Sequence, residues 1–247
     1  MNSISLKFTD LLKQIDPEFS LSERQLTQLQ LYYENLVEWN NRINLTAITE
    51  EEDVYIKHYL DSYTLFIVVP RETIKNGMSI IDIGTGAGFP GIPLAIALPE
   101  VNFTLMDSLG KRIRFLENMV GKLNLENVTC IQARAEDLAR DRKHREQYDI
   151  AVSRAVANLS TLSEYCVPFL RVGGEFVAYK SEKVKEGNEQ PDGEKAAKKL
   201  GAQFIRQEEF VLPGTEYHRT LLMFRKTHST PNTYPRRAGT PSRNPLN

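Results

Sequence analysis

At 247 residues the chain is long enough for one large domain, or one domain with an added arm, so it needs no disulfide or metal to hold a core. With 41% hydrophobic and 26% charged residues it has the balance of a soluble globular protein, and its two cysteines, Cys130 and Cys166, form no Cys/His cluster, which argues against a zinc site or redox motif. The net charge of −1 argues against a uniformly basic surface, although Arg225 to Asn247 carries five Lys/Arg and no acid, leaving 26 basic against 32 acidic residues, a net of −6, in the rest.

In chain order, the first stretch reads helical. Ser22-Glu23-Arg24-Gln25 matches a capping box, and Leu26, Leu29, Tyr33 and Leu36 follow at helical spacing until Asn40, Asn41 and Asn44 interrupt. Thr49-Glu50-Glu51-Glu52 reads as a second capping box opening a helix with Val54, Ile56, Tyr59, Leu60 and Leu65. Residues 1–75 are therefore expected to form an N-terminal helical arm. Pro70 and Gly77 mark its exit.

The pattern then alternates. Strands are expected at Met78–Ile83, Val101–Asp107, Val128–Ala133, Tyr148–Ser153 and Gly174–Lys180, with helices at Pro90–Leu98, Lys111–Leu123, Leu159–Leu170 and Glu194–Leu200. Phe204–Leu212 and Thr220–Arg225 can pair as a terminal hairpin. Such alternation implies an α/β fold, a mostly parallel sheet with helices on both faces, over residues 76–227. Residues 228–247 hold Pro231, Pro235, Pro241 and Pro245 among Ser, Thr, Asn and Arg, and their composition predicts an extended or disordered, flexible tail. Its basic charge suits a polyanion, or simply a solvated end. The sequence shows no uninterrupted apolar stretch, so no membrane span or signal peptide is expected and the cytoplasm follows by default.

The sharpest signal is Ile80-Ile81-Asp82-Ile83-Gly84-Thr85-Gly86-Ala87-Gly88-Phe89-Pro90-Gly91, a strand running into a glycine-rich turn that opens a helix. Glycine lets a backbone approach a ligand closely, at the carboxyl end of the strands where open α/β sheets bind. Gly86-x-Gly88-x-x-Gly91 alone fits a dinucleotide fingerprint, and with it an NAD-type oxidoreductase. Asp82, however, is expected to turn a carboxylate toward the loop, which would repel pyrophosphate and favour the sulfonium and ammonium groups of S-adenosylmethionine. Asp107 ends the next strand and can hydrogen-bond ribose hydroxyls or cap the next helix. Ala135-Glu136 falls where an adenine ring would lie.

The region after the fourth strand, Tyr148 to Ala155, lacks the Asn/Asp-Pro-Pro-aromatic run of enzymes that methylate exocyclic amines of bases. Cys166 looks structural, not nucleophilic, and no carboxylate cluster suggests a metal. Guanine N7 needs neither nucleophile nor base, since its lone pair is already free. Arg154 is then a candidate for cofactor or substrate contact, or for a surface ion pair.

The chain resembles the bacterial small-subunit ribosomal RNA guanine-N7 methyltransferases, the RsmG or glucose-inhibited division protein B family. The resemblance covers nearly the whole chain. It rests on Trp39-Asn40, Asn44-Leu45-Thr46, His58 with Leu60-Asp61-Ser62, Asp82 to Gly86, Gly88 to Pro93, Asp107-Ser108-Leu109-Gly110-Lys111-Arg112 and Ser153-Arg154-Ala155. It implies a Rossmann-like class I methyltransferase sheet with an N-terminal helical arm. It implies methylation of a guanine N7 in a 16S rRNA loop of the decoding region, acting on rRNA or the small ribosomal subunit. It also implies S-adenosyl-L-methionine contacts at Gly84, Phe89, Ala135, Glu136 and Arg154, beside Gly86, Gly88 and Asp107 from the loop reading. His58 and Asp61 share a helical face and can meet the pocket or tie the arm to the sheet. Lys111, Arg112 and Arg114 can touch RNA phosphates or lie on a solvated face. No metal is expected, and the chain is expected to be a monomer. A non-catalytic RNA-binding module is the remaining rival.

Overall fold

A computed structural model describes residues 3–154, 157–181 and 189–246. Two long helices open the chain, α1 (Ser3–Ile15) and α2 (Glu23–Ile43). The Ser22 hydroxyl accepts from Gln25 N and the Gln25 side chain accepts from Ser22 N, so the first capping box forms. Asn44 stops α2 in the left-handed region (φ 47°), which asparagine tolerates, and the Asn40 carboxamide accepts the freed N–H groups of Leu45 and Thr46. A helical run follows as α3 (Glu51–Val54), a π-helical stretch (Tyr55–Leu60), α4 (Asp61–Tyr63) and α5 (Leu65–Val68). The second capping box does not form. The cap residue is Glu50 and makes no side-chain cap bond, because the helix starts one residue later than the Thr49 pattern requires.

Seven strands form one sheet in the order β3-β2-β1-β4-β5-β7-β6. They are β1 (Ser79–Ile83), β2 (Asn102–Asp107), β3 (Val128–Gln132), β4 (Tyr148–Ser153), β5 (Leu170–Ser181), β6 (Ala202–Val211) and β7 (His218–Lys226). The first five run parallel, and β7 lies antiparallel to both β5 and β6, so the expected terminal hairpin is present. Between them come α6 (Gly91–Ala97), α7 (Gly110–Lys122), α8 (Ala135–Leu138), α9 (Leu159–Cys166) and α10 (Glu189–Lys199), and α11 (Thr240–Arg243) closes the chain. The central strands are apolar on both sides because both faces are covered. Ile80, Ile150, Val152, Val177 and Met223 face a core shared with the arm, α6 and α7, whereas Ile81, Ala151, Phe176, Ala178 and Phe224 face one shared with α8, α9 and α10. The arm's Leu29, Tyr32 and Leu36, one stripe of α2, belong to the first core, so arm and sheet bury the same apolar surface.

Two expectations are corrected. The helix expected over Leu159–Leu170 ends at Cys166: Pro168 has no N–H to continue it, a 3₁₀ turn (Val167–Phe169) intervenes, and β5 has begun by Leu170. The tail is packed. Thr230, Pro235, Pro241 and Leu246 are buried, and Leu246 joins the second core. What composition missed is that the body supplies the partners. Arg145 donates to the carbonyls of Thr230 (2.7 Å) and Tyr234 (2.9 Å), the Arg140 guanidinium to that of Pro235, and Arg236 pairs with Glu164 at 2.6 Å.

Candidate functional site

The order of strands reverses between β1 and β4, where an open α/β sheet presents its binding crevice. Ser153 Oγ, ending β4, donates to the Ile83 carbonyl at 2.8 Å and pins the two strand ends together. A cavity of about 290 Å³ opens at this edge, within reach of the range typical for small-molecule sites. Residues at the ends of four adjacent strands line it, namely Ile83, Asp107, Ala133 and Ser153, together with Gly84, Ala135 and Glu136.

The glycines of the loop serve different ends. Gly86 has φ +63° and an added Cβ would come no closer to other atoms than 4.0 Å, so a side chain there would fill open space in front of the loop. Gly88 (φ +101°) faces inward, and a Cβ would lie 2.7 Å from both Ile92 Cδ1 and the Tyr32 hydroxyl. At Gly91 a Cβ would collide with Leu105 Cδ2 and meet Asp82 Oδ2 at 2.9 Å. Gly88 and Gly91 are thus packing positions, which a dinucleotide fingerprint also asks of its last glycine, so the pattern alone does not choose between the two ligands.

Asp82 turns its carboxylate to the loop as expected, and Oδ1 has no partner among the described residues. Its side chain is fully buried and Oδ2 accepts from Thr85 Oγ1 (2.7 Å) and Gly91 N (2.9 Å), so it straps the loop to the helix behind it. Burial raises its pKa from 3.8 to about 6, against the opposing pull of those two hydrogen bonds. Asp107, at 3% exposure, has both carboxylate oxygens engaged within the protein. Oδ1 accepts Leu109 N at 2.9 Å at the start of α7, while Oδ2, on the loop side, accepts Gly86 N at 3.1 Å and pairs with Arg112 at 3.0 Å. Arg112 is thereby turned to the cavity, not to an RNA face, and Lys111 donates to the Ile43 carbonyl of the arm.

A second polar cluster lies where the arm meets the loop. Asp61 is buried and bridges two arginines, with Arg154 Nη1 at 2.8 Å from Oδ2 and Arg219 Nε at 2.8 Å from Oδ1. Arg154 Nη2 donates to His58 Nδ1 at 3.0 Å, and its guanidinium carbon stands 5.2 Å from the centre of the Phe89 ring. The His58 ring stacks on Phe89 at 4.3 Å. Because Arg154 can only donate, Nδ1 must be the acceptor, which leaves the His58 proton on Nε2, directed at Thr46 Oγ1 2.9 Å away. Burial, then the Arg154 charge, pushes the His58 pKa down to about 3, so the ring is neutral. His58 and Asp61 therefore tie the arm to the sheet through Arg154. Phe89 is 5% exposed and its ring faces this cluster, not the 290 Å³ cavity. Ala155, next to Arg154, lies outside the described residues.

With this geometry in place, the relatives can be compared. The family model for rRNA small subunit methyltransferase G matches residues 25–210. A ribosomal RNA small subunit methyltransferase G of Lactobacillus acidophilus is 45% identical over 92% of this chain and 94% of its own length. One of Lachnoclostridium phytofermentans is 47% identical over 92% and 91%. The chain belongs to the rRNA small subunit methyltransferase G family. Distant solved structures share the fold. The complex of the Haloferax volcanii Trm112 methyltransferase activator with a methyltransferase matches at TM-score 0.55 and 13% identity, over 78% of this chain and 98% of that one. M. jannaschii TYW2 in complex with AdoMet matches at TM-score 0.50 and 19% identity, over 62% and 70%. The fold is the class I methyltransferase sheet, and S-adenosylmethionine is the family's methyl donor.

Sequence reasoning missed four contributors. Arg219 on β7 completes the Asp61 bridge, Tyr165 on α9 lines the cavity, and Gly239 and Ser242 of the tail line it as well. Only Gly239 carried a signal, a lone glycine before Thr-Pro in a proline-rich stretch. Among the described residues no group of His, Cys, Asp or Glu could hold a metal ion, and no helix is long and apolar enough to cross a membrane.

Proposed function

We propose that this chain methylates N7 of a guanine in 16S rRNA, on the free RNA or the small ribosomal subunit in the cytoplasm, with S-adenosylmethionine as donor. The observation that carries the reading is the cavity at the ends of β1 to β4, lined by Gly84 and flanked by the buried carboxylates of Asp107, which holds Gly86 N, and Glu136. A nucleoside fits those walls. Gly84 and Gly86 give the backbone close approach, Asp107 stands at the ribose position, and Ala135 and Glu136 stand at the adenine position. Gly88 and Phe89 shape the loop from behind, and Arg154 holds the methionine carboxylate or meets the target nucleotide.

S-adenosylmethionine supplies an electrophilic methyl group. The N7 lone pair would take it as the S–CH3 bond breaks and S-adenosylhomocysteine leaves, and since no proton has to depart the protein needs no base. Alignment alone can supply roughly 7–11 kcal/mol of barrier lowering. The cysteines agree. Cys166 is fully buried and burial raises its thiol pKa well above the ordinary range, while Cys130 is pushed up to about 12, so neither offers a thiolate for covalent attack on a pyrimidine.

The test is incubation of purified protein and labelled S-adenosylmethionine with small subunits and with deproteinised 16S rRNA. Nucleoside mass spectrometry should show 7-methylguanosine, and strand scission after borohydride and aniline should locate it. Methyl label on another base, or on none, overturns the reading.

A further inference from the structure

Of the tail's arginines, Arg236 and Arg243 bond back onto the protein, whereas Arg237 is exposed. Arg236 is spent on Glu164, a fully buried carboxylate of α9, through its backbone N–H (2.7 Å) and the Nε and Nη2 of its guanidinium. Arg243 Nε folds back onto the Gly239 carbonyl at 3.1 Å. From the Arg236 anchor the chain turns toward the crevice. Gly239 adopts φ +79°, and its N–H donates to Glu136 Oε1 at 2.7 Å, at the position the family resemblance gives to adenine. Thr161 Oγ1 holds the Pro241 carbonyl at 3.0 Å, and Gly239 and Ser242 then stand on the cavity wall opposite Gly84 and Asp107. An added Cβ at Gly239 would meet nothing closer than the flexible end of Arg243 at 3.6 Å. Backbone conformation, not crowding, demands the glycine here.

We propose that residues 238–246 are a working wall of the nucleoside pocket. Gly239 and Ser242 complete the adenosine half of the S-adenosylmethionine site, and the Gly239–Glu136 hydrogen bond orients the Glu136 carboxylate. This rests on the cofactor reading above. A carboxylate has about four acceptor positions and the tail takes one on Glu136, leaving the group able to accept from a purine amine as well. Docking of the tail and binding of the nucleoside are then coupled, and the coupling is reciprocal. The tail tightens the cofactor, and the cofactor holds the tail down.

The experiment uses the full chain and a chain stopped after Arg237, which keeps the Arg236–Glu164 anchor and loses the wall together with the buried Pro241 and Leu246. Calorimetric titration with S-adenosylhomocysteine should show binding weakened at least 10-fold in the shortened chain. In parallel, trypsin cleavage of the full chain after the exposed Arg237 and Arg243 should slow at least 5-fold at saturating S-adenosylhomocysteine, a readout that requires no variant to fold. Equal affinity in the two chains, or tail cleavage indifferent to the ligand, overturns the proposal while leaving the cofactor reading intact. A full chain that does not bind S-adenosylhomocysteine overturns both.

Discussion

Replacing His58 by glutamine tests how charge is managed where the arm meets the loop. His58 is 8% exposed, and burial first, then the Arg154 and Arg219 guanidiniums, push its pKa from 6.5 to about 3. A histidine kept neutral in the fold but free to protonate once unfolded contributes stability that is present above pH 6.5 and lost as pH falls, at about 1.4 kcal/mol per unit, until the folded pKa near 3 is passed. Asp82 acts with the opposite sign. Its pKa of about 6 exceeds the ordinary 3.8, so between those values the folded chain takes the proton first and stability rises as pH falls. In the wild type the two slopes oppose one another, and a pH profile of that protein alone would look flat. The difference between wild type and His58→Gln cancels Asp82 and every other shared carboxylate, because only the imidazole is removed. Whatever the variant costs at neutral pH, it should gain on wild type by about 2 kcal/mol between pH 7.5 and 5. Urea unfolding at several pH values across that interval measures the difference. A gap that stays constant refutes the neutral, desolvated histidine.

Gly86→Val should reduce S-adenosylhomocysteine binding at least 10-fold, since the side chain would occupy the space in front of the loop, and the strained φ should cost the apo fold about 1–2 kcal/mol; unchanged titration would refute the placement. Gly91→Ala should destabilise the fold by about 1–3 kcal/mol through collision with Leu105 and Asp82, visible as a lowered urea midpoint, and wild-type stability would remove the packing argument. Asp107→Ala should weaken S-adenosylhomocysteine binding about 10-fold or more by freeing Arg112 and Gly86 N from their shared partner, again read by calorimetry. Cys166→Ala should retain methylation of 16S rRNA with only a modest stability loss; abolished turnover in a folded variant would point to covalent catalysis.

Much of the crevice was legible because its parts are local. A five-residue strand, a turn whose glycines need positive φ, a helix with its prolines in the first turn, and an acid ending the next strand all lie within residues 79–107. Periodicity also located every strand to within a few residues, apart from β5, which begins at Leu170 rather than Gly174. Asp82 shows where local reading stops. An acid at a strand's end can serve the ligand or the loop, and the choice depends on Thr85 and Gly91 folding back onto it. The tail shows the same limit at longer range. Its carbonyls and arginines find Arg140, Arg145, Glu136 and Glu164, partners 72 to 103 residues away, and composition holds no record of such pairings.

The Tyr32 hydroxyl donates to the carbonyl of Ala87, within the glycine loop, and the Tyr32 ring lies 5.5 Å from Tyr59 and 5.4 Å from Phe89. The arm is therefore the floor on which the glycine loop rests. Damage to α2, far from any reacting atom, would surface first as a slackened cofactor grip, well before global melting. Random mutagenesis scored on methylation alone would thus collect hits along this helix, and their origin would be mechanical rather than chemical.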